Sequence, residues 1–351
     1  MNPLTRPGEP RHCAANLVTP SSAHPVLDAE TQQFLDVIAE AGLHPDDLLL
    51  NDPPTIDGSE QTATPADGLA VVTDDLTLAV GPTGSVAVRI VRPAGVSVPL
   101  PVVMYFHGGG WRMGDRITHG RLIRKLAVQA EVAVVFVDYT LTPHARYPVQ
   151  NEQAYAALTY VVEHAEALGV EPSAIAVAGD GAGGNMAAAV TLLAKQRHGP
   201  RIALQVLLCP ILSAGAHSRS YAQYADGPGL TASAVQASIH AQFPAGCVAD
   251  KLAMPLNATT DDLEGLPSAL IVTAENDVVR DDAEAYARKL MRAGVEVSAT
   301  RYLGTIHDFV VFDGLAHTFP TTAALAQACA ALKAALRKSG RPRSQCGARN
   351  A

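Results

Sequence analysis

The sequence predicts an α/β protein: a mostly parallel sheet flanked by helices. Three observations predict it. Short continuous apolar runs recur along the chain, a helical pattern separates most of them, and glycines or chemically active side chains follow directly on several runs. Continuous apolar runs suit strands buried on both faces, and strand–helix alternation specifies parallel pairing.

Taken in order, Phe34, Leu35, Ile38 and Ala39 recur at helical spacing within Leu27 to Ala41 and predict an amphipathic helix. The runs Ala70–Val80 and Val86–Val91, joined by Gly81-Pro-Thr-Gly84, predict an antiparallel hairpin. Buried strands are expected at Val102–Phe106, Val132–Val137, Ile175–Ala178, Leu204–Leu208, Ala269–Val272 and Val297–Tyr302. Helices are expected at about His119–Gln129, Glu152–Leu168, Gly184–Arg197, Asp282–Ala293 and Thr321–Leu336. Residues 213–262 break the rhythm: they lack a strand signal yet carry Tyr221, Tyr224, Leu230, Phe243 and Met254. Together with residues 26–60 they are expected to form a helical cap over the open end of a core spanning 61–338. The Pro- and Ser-rich residues 1–25 and the polar residues 339–351 read as a disordered N-terminal segment and a flexible tail.

Composition narrows the function classes. The 351 residues are 48% hydrophobic and 17% charged, enough to bury a large core. A net charge of −8 argues against nucleic acid or an anionic membrane as partner. The five cysteines, Cys13, Cys209, Cys247, Cys329 and Cys346, are odd in number and lack a CxxC pair, so neither a disulfide framework nor a zinc site is expected. No apolar leader opens the chain, and a cytoplasmic location with no cofactor or metal is the expectation. The apolar insertion suits a small hydrophobic acyl or carbonyl ligand, and a homodimer is compatible with the chain.

Three strand ends carry chemistry. His107-Gly108-Gly109-Gly110-Trp111 follows the first parallel-type run. Glycines let the backbone turn and present N–H groups to a ligand oxygen, although three glycines also make a plain turn. Gly179-Asp180-Gly181-Ala182-Gly183-Gly184 lies between a strand and a helix and has the frame of a nucleophile elbow, G-x-S-x-G, with glycine in the serine position. The same glycines also fit a dinucleotide loop, GxGxxG. That fingerprint usually opens its domain and has an acid about twenty residues on, whereas here Gly199-Pro-Arg-Ile offers none. Finally, Glu275-Asn-Asp277 and Gly304-Thr-Ile-His307 follow successive strands, the chain order of the acid and base of an acyl-transfer triad. Asp277 would orient His307, and His307 would move the proton.

This ordered set of motifs closely resembles the hormone-sensitive-lipase-like (family IV) carboxylesterases of the α/β-hydrolase fold. The likeness covers roughly Leu27 to Leu336 and includes Val137-Asp-Tyr139-x-Leu-x-Pro143 and Leu266-Pro-Ser-Ala-Leu. It implies an eight-stranded core with a cap, and an oxyanion hole formed by the N–H groups of Gly108, Gly109 and Ala182. His107, Gly110, Trp111 and Asp180 would support that loop, and Asp277 and His307 align with the triad acid and base. The departure lies where the family has Asp-Ser-Ala-Gly, for this chain has Asp180-Gly181-Ala182-Gly183. Glycine has no oxygen, so the serine acyl-enzyme route is closed. Three functions remain: non-covalent acid/base chemistry at Asp277–His307 (elimination, cyclisation or hydrolysis by water in the serine space), a non-catalytic ligand-binding pseudoenzyme, or an esterase with an engineered serine-to-glycine change. Cys209, Ser213 and Thr305 are the nucleophile-type side chains near strand ends that could stand in for the serine. Cys209 reads as buried packing, and the other two lie outside any elbow.

Overall fold

The computed structural model describes residues 25–49 and 68–339. The expected N-terminal segment, residues 50–60 of the expected cap and the C-terminal tail lie almost wholly outside the described residues.

The described residues build one eight-stranded sheet in the order β1-β2-β4-β3-β5-β6-β7-β8. β1 (Val71–Leu78) and β2 (Val86–Pro93) form the antiparallel hairpin, with Leu78 opposite Val86. β2 pairs antiparallel with β4 (Ala133–Asp138). β3 (Leu100–Phe106), β4, β5 (Val170–Asp180), β6 (Leu204–Leu208), β7 (Ser268–Asn276) and β8 (Val297–Ile306) are parallel.

The period of two explains why such runs are apolar throughout. On β3, Val102, Met104 and Phe106 enter the core on one face, while Val103 and Tyr105 enter the core on the other. The helices α3 (Val149–Glu163), α4 (Gly181–Gln196) and α8 (Arg280–Arg292) close the first face. The second is closed by α2 (Gly120–Ala130) and α9 (Phe319–Ser339). Each fully buried large apolar side chain contributes roughly 1.5–3 kcal/mol, so the central strands anchor whatever their carboxyl ends present.

Two boundaries differ informatively from the sequence expectation. α4 starts at Gly181, three residues before the expected Gly184. Glycines are weak helix formers, but close packing overrides propensity here: a Cβ on Gly183 would lie 1.9 Å from the Phe106 carbonyl oxygen. β5 extends back to Val170 through Pro172, with its register against β3 shifted between Leu100 and Val102.

Two further segments lie against the loops that follow the strands. α1 (Ala29–Glu40) is capped by Asp28, whose side chain accepts from Thr31 N, and is pinned by a bond from Asp28 N to Gly304 O. The 3₁₀ turn Pro45–Leu49 follows, with Leu49 O accepting from Gly114 N. Residues 213–262 hold α5 (Arg219–Gln223), α6 (Ala232–Gln242) and α7 (Thr260–Leu263). Phe243 meets Trp111 edge-on at 5.1 Å, and a Cβ on Gly110 would meet Ser238 Oγ at 2.6 Å.

Candidate active site

Parallel pairing brings the three sequence signals to one edge. β5 ends at Asp180, and the chain turns at Gly181 with φ +48° before entering α4. That left-handed conformation is strained for any residue with a Cβ. The glycine loop after β3 packs directly on this turn: a Cβ on Gly108 would lie 2.1 Å from Asp180 Oδ2. Glycine at 108 is therefore required by close approach. Ala182 lies in the first turn of α4, where helix N–H groups lack a carbonyl one turn earlier.

Asp180 fixes the turn from beneath. Its carboxylate accepts from Tyr105 Oη and contacts His119 Nε2 at 3.2 Å, all three side chains being buried. Burial works against both charges, but each partner outweighs it, so His119 titrates above its ordinary range and Asp180 below. His107 is placed differently. It stacks on Tyr139 at 4.2 Å, its Nδ1 is 2.9 Å from Gly108 O, and burial with the nearby His119 lowers its pKa to about 3. It is a neutral brace for the glycine loop. Trp111 is fully buried against Phe243.

Opposite the turn stands His307, after β8. Nδ1 is 2.8 Å from Asp277 Oδ2, and Asp277 Oδ1 accepts from Val279 N. Nε2 is 3.3 Å from Oδ2 of the next residue, Asp308. Burial disfavours charge on the ring, but a carboxylate at each nitrogen outweighs it and holds the pKa well above 6.5. A Cβ on Gly181 would lie 3.4 Å from His307 Nε2. The structure thus brings Gly108, Gly109, Gly181, Ala182, Asp277 and His307 to one edge of the sheet.

Cys209, at φ +44°, has its Sγ within 4.8 Å of ligand atoms of His307 and Asp308. Burial and the charges of Asp277 and Asp308 push the thiol well above 9, opposing the thiolate that either nucleophilic attack or metal ligation needs. Thr305 Oγ1 donates to Tyr302 O, and Ser213 Oγ accepts from Gly215 N, so both serve their own loops.

Sequence reasoning missed two residues. Asp308 was the neighbour of His307 with no assigned part. Its φ is +53°, its side chain is 3% exposed, and its Oδ1 is buried without a hydrogen-bond partner. Asp46, in the turn after α1, is near enough to His307 for their charges to interact, and burial raises its pKa. Neither carried a motif, because its position depends on a loop conformation.

Comparison with known proteins agrees with this fold. Residues 103–311 match the family model described as alpha/beta hydrolase fold. A carboxylesterase of Mycobacterium tuberculosis, NlhH, is 41% identical over 254 residues, covering 72% of this chain and 79% of its own. A putative alpha/beta hydrolase of Acanthamoeba polyphaga mimivirus is 39% identical over 66% of this chain and 67% of its own. Among solved structures, a thermostable esterase from Pseudomonas putida matches with TM-score 0.82 and 40% identity, covering 89% of this chain and 98% of that one. Sequence order, sheet topology and these likenesses agree: the chain belongs to the α/β-hydrolase family, in its hormone-sensitive-lipase-like (family IV) carboxylesterase branch.

Proposed function

We propose that this chain is a carboxylic-ester hydrolase-type enzyme, acting on a small acyl or carbonyl compound, that works without a serine nucleophile. Its relatives named as esterases support the reaction class. The observation that carries the finer reading is His307 itself, held by Asp277 at 2.8 Å and aimed at a turn whose residue 181 has no hydroxyl. In this reading Gly108, Gly109 and Ala182 form the oxyanion hole and His307 moves the proton. Remnants of this kind in a protease stripped of its nucleophile keep roughly 10³–10⁴ over water.

Residues 26–60 and 213–262 would act as the cap and shape a small apolar pocket. No helix among the described residues is long and apolar enough to cross a membrane, and a cytoplasmic location is part of the proposal. A second reading, a chain that only binds its ligand, is favoured by one observation: residue 181, in the elbow position, offers no side-chain nucleophile.

The test is hydrolysis of short p-nitrophenyl esters by the chain and by His307→Ala. Slow turnover that vanishes in the variant is expected. Equal rates for the two would defeat the catalytic reading, and ligand binding with no turnover would favour the second.

A further inference from the structure

We infer that Asp308 supplies the nucleophilic oxygen that position 181 lacks, which restricts the site to acyl donors with weakly basic leaving groups, aryl esters and thioesters. This rests on the catalytic reading above. The missing Cβ of Gly181 would stand 3.2 Å from Asp308 Oδ2, 3.8 Å from Oδ1 and 3.4 Å from His307 Nε2. Oδ2 is itself 3.3 Å from Nε2. A serine oxygen lies one bond beyond its Cβ, so a carboxylate oxygen already stands beside the imidazole nitrogen where that hydroxyl would point.

A single methyl-sized group at 181 would touch both Asp308 and His307, so the space facing the turn is narrow and the carboxylate is the nucleophilic side-chain oxygen beside it. Oδ1 is buried with no partner, a desolvated lone-pair set on the same group. Cys209, the other candidate, is held as the thiol.

Proton bookkeeping fits an ionised Asp308 beside a protonated His307. An Asp308 oxygen attacks the acyl carbon, and the carbonyl electrons move to oxygen at the Gly108–Gly109 loop. Collapse breaks the bond to the leaving group, which takes the Nε2 proton of His307. This leaves an acyl-aspartyl mixed anhydride and neutral His307. His307 then takes a proton from water as the water oxygen attacks the acyl carbon. The bond to Asp308 breaks, releasing the carboxylic acid and restoring both residues. The first tetrahedral adduct partitions by basicity. The carboxylate is the least basic of the departing groups, so the adduct goes forward only as His307 protonates the other one, a demand that is smaller for a phenol (pKa about 10) or thiol (about 8.5) than for a far more basic alkoxide, which returns to ester.

The experiment mixes the full chain with p-nitrophenyl acetate, quenches it in acid and maps acetylated peptides by mass spectrometry, in parallel with Asp308→Asn and His307→Ala. Asparagine suits φ +53°, so Asp308→Asn keeps the fold, checked by unchanged thermal unfolding. The expected result is acetyl on Asp308, absent in Asp308→Asn, with kcat/KM for this ester down at least about 10²-fold and ethyl acetate not hydrolysed by the parent. Acetyl on another residue, or Asp308→Asn within about 2-fold of the parent, overturns the inference. If His307→Ala still abolishes turnover in that case, the catalytic reading stands with water as nucleophile. If His307→Ala is also silent, both fail.

Discussion

The Cβ that Gly181 lacks would stand 3.4 Å from Nε2 of His307, on the side of the ring opposite the nitrogen that meets Asp277. The turn and the proton carrier face one another at the distance of ordinary contact. A serine at 181 would carry its hydroxymethyl group into this gap, where Asp308 Oδ2 stands 3.2 Å from the Cβ position.

Gly181→Ser should gain activity on p-nitrophenyl acetate by about 10²-fold or more. Two costs accompany it. A side chain at φ +48° brings strain of about 1–3 kcal/mol, and Asp308 Oδ2, at 3.2 Å from the new Cβ, has to give by a few tenths of an ångström. Initial rates and urea unfolding measure both, and an inert variant would indicate a pocket no longer suited to esters.

Asp277→Asn should lower the parent's slow turnover by about 10²-fold or more. The amide cannot stabilise the imidazolium, and it can present the wrong group to Nδ1. A variant retaining full rate would remove Asp277 from the site.

The pH profile follows from the two raised groups. His307 gains its charge partners on folding, so its stabilising contribution is fully present below its ordinary 6.5 and is lost as pH rises through its higher folded value. Burial pushes Asp308 up to about 6, so folding favours its protonated form, and that contribution is lost as pH rises from about 3.8 through about 6. Attack by Asp308 requires its ionised form, so activity should rise through about pH 6 and fall where His307 deprotonates. The titratable groups facing this pair include Asp277, Asp180, Asp46, His119, Tyr105 and Cys209. Initial rates across pH 4–10 check this, and Asp308→Asn should lose the acid limb.

Gly183→Ala should be among the most damaging single-methyl changes. Its Cβ would meet the Phe106 carbonyl at 1.9 Å, and backbone cannot rotate aside. A loss of at least about 1–3 kcal/mol, read by denaturant midpoint, is expected. Gly246→Ala meets nothing within 4 Å, so it carries the strain of φ +85° alone and serves as control.

Leu204–Leu208 begins and ends as a strand where its apolar run predicts, and β3, β4, β7 and β8 differ from expectation only at their ends. Those limits were legible because a strand buried on both faces has no polar alternation to disguise it. The start of α4 was not, because three glycines hide a helix that packing against Phe106 imposes. Asp308 was invisible for a related reason. An aspartate after a histidine says nothing until a left-handed φ sets it beside Nε2.

The sequence by itself determined the layered α/β order, the absence of a hydroxyl at 181, and the acid and base that follow β7 and β8, since each depends on residue type and local spacing. Only the tertiary structure decided what stands opposite Gly181. That depends on distances between loops far apart in the chain, set by the sheet and by close backbone contact, and no local pattern records them.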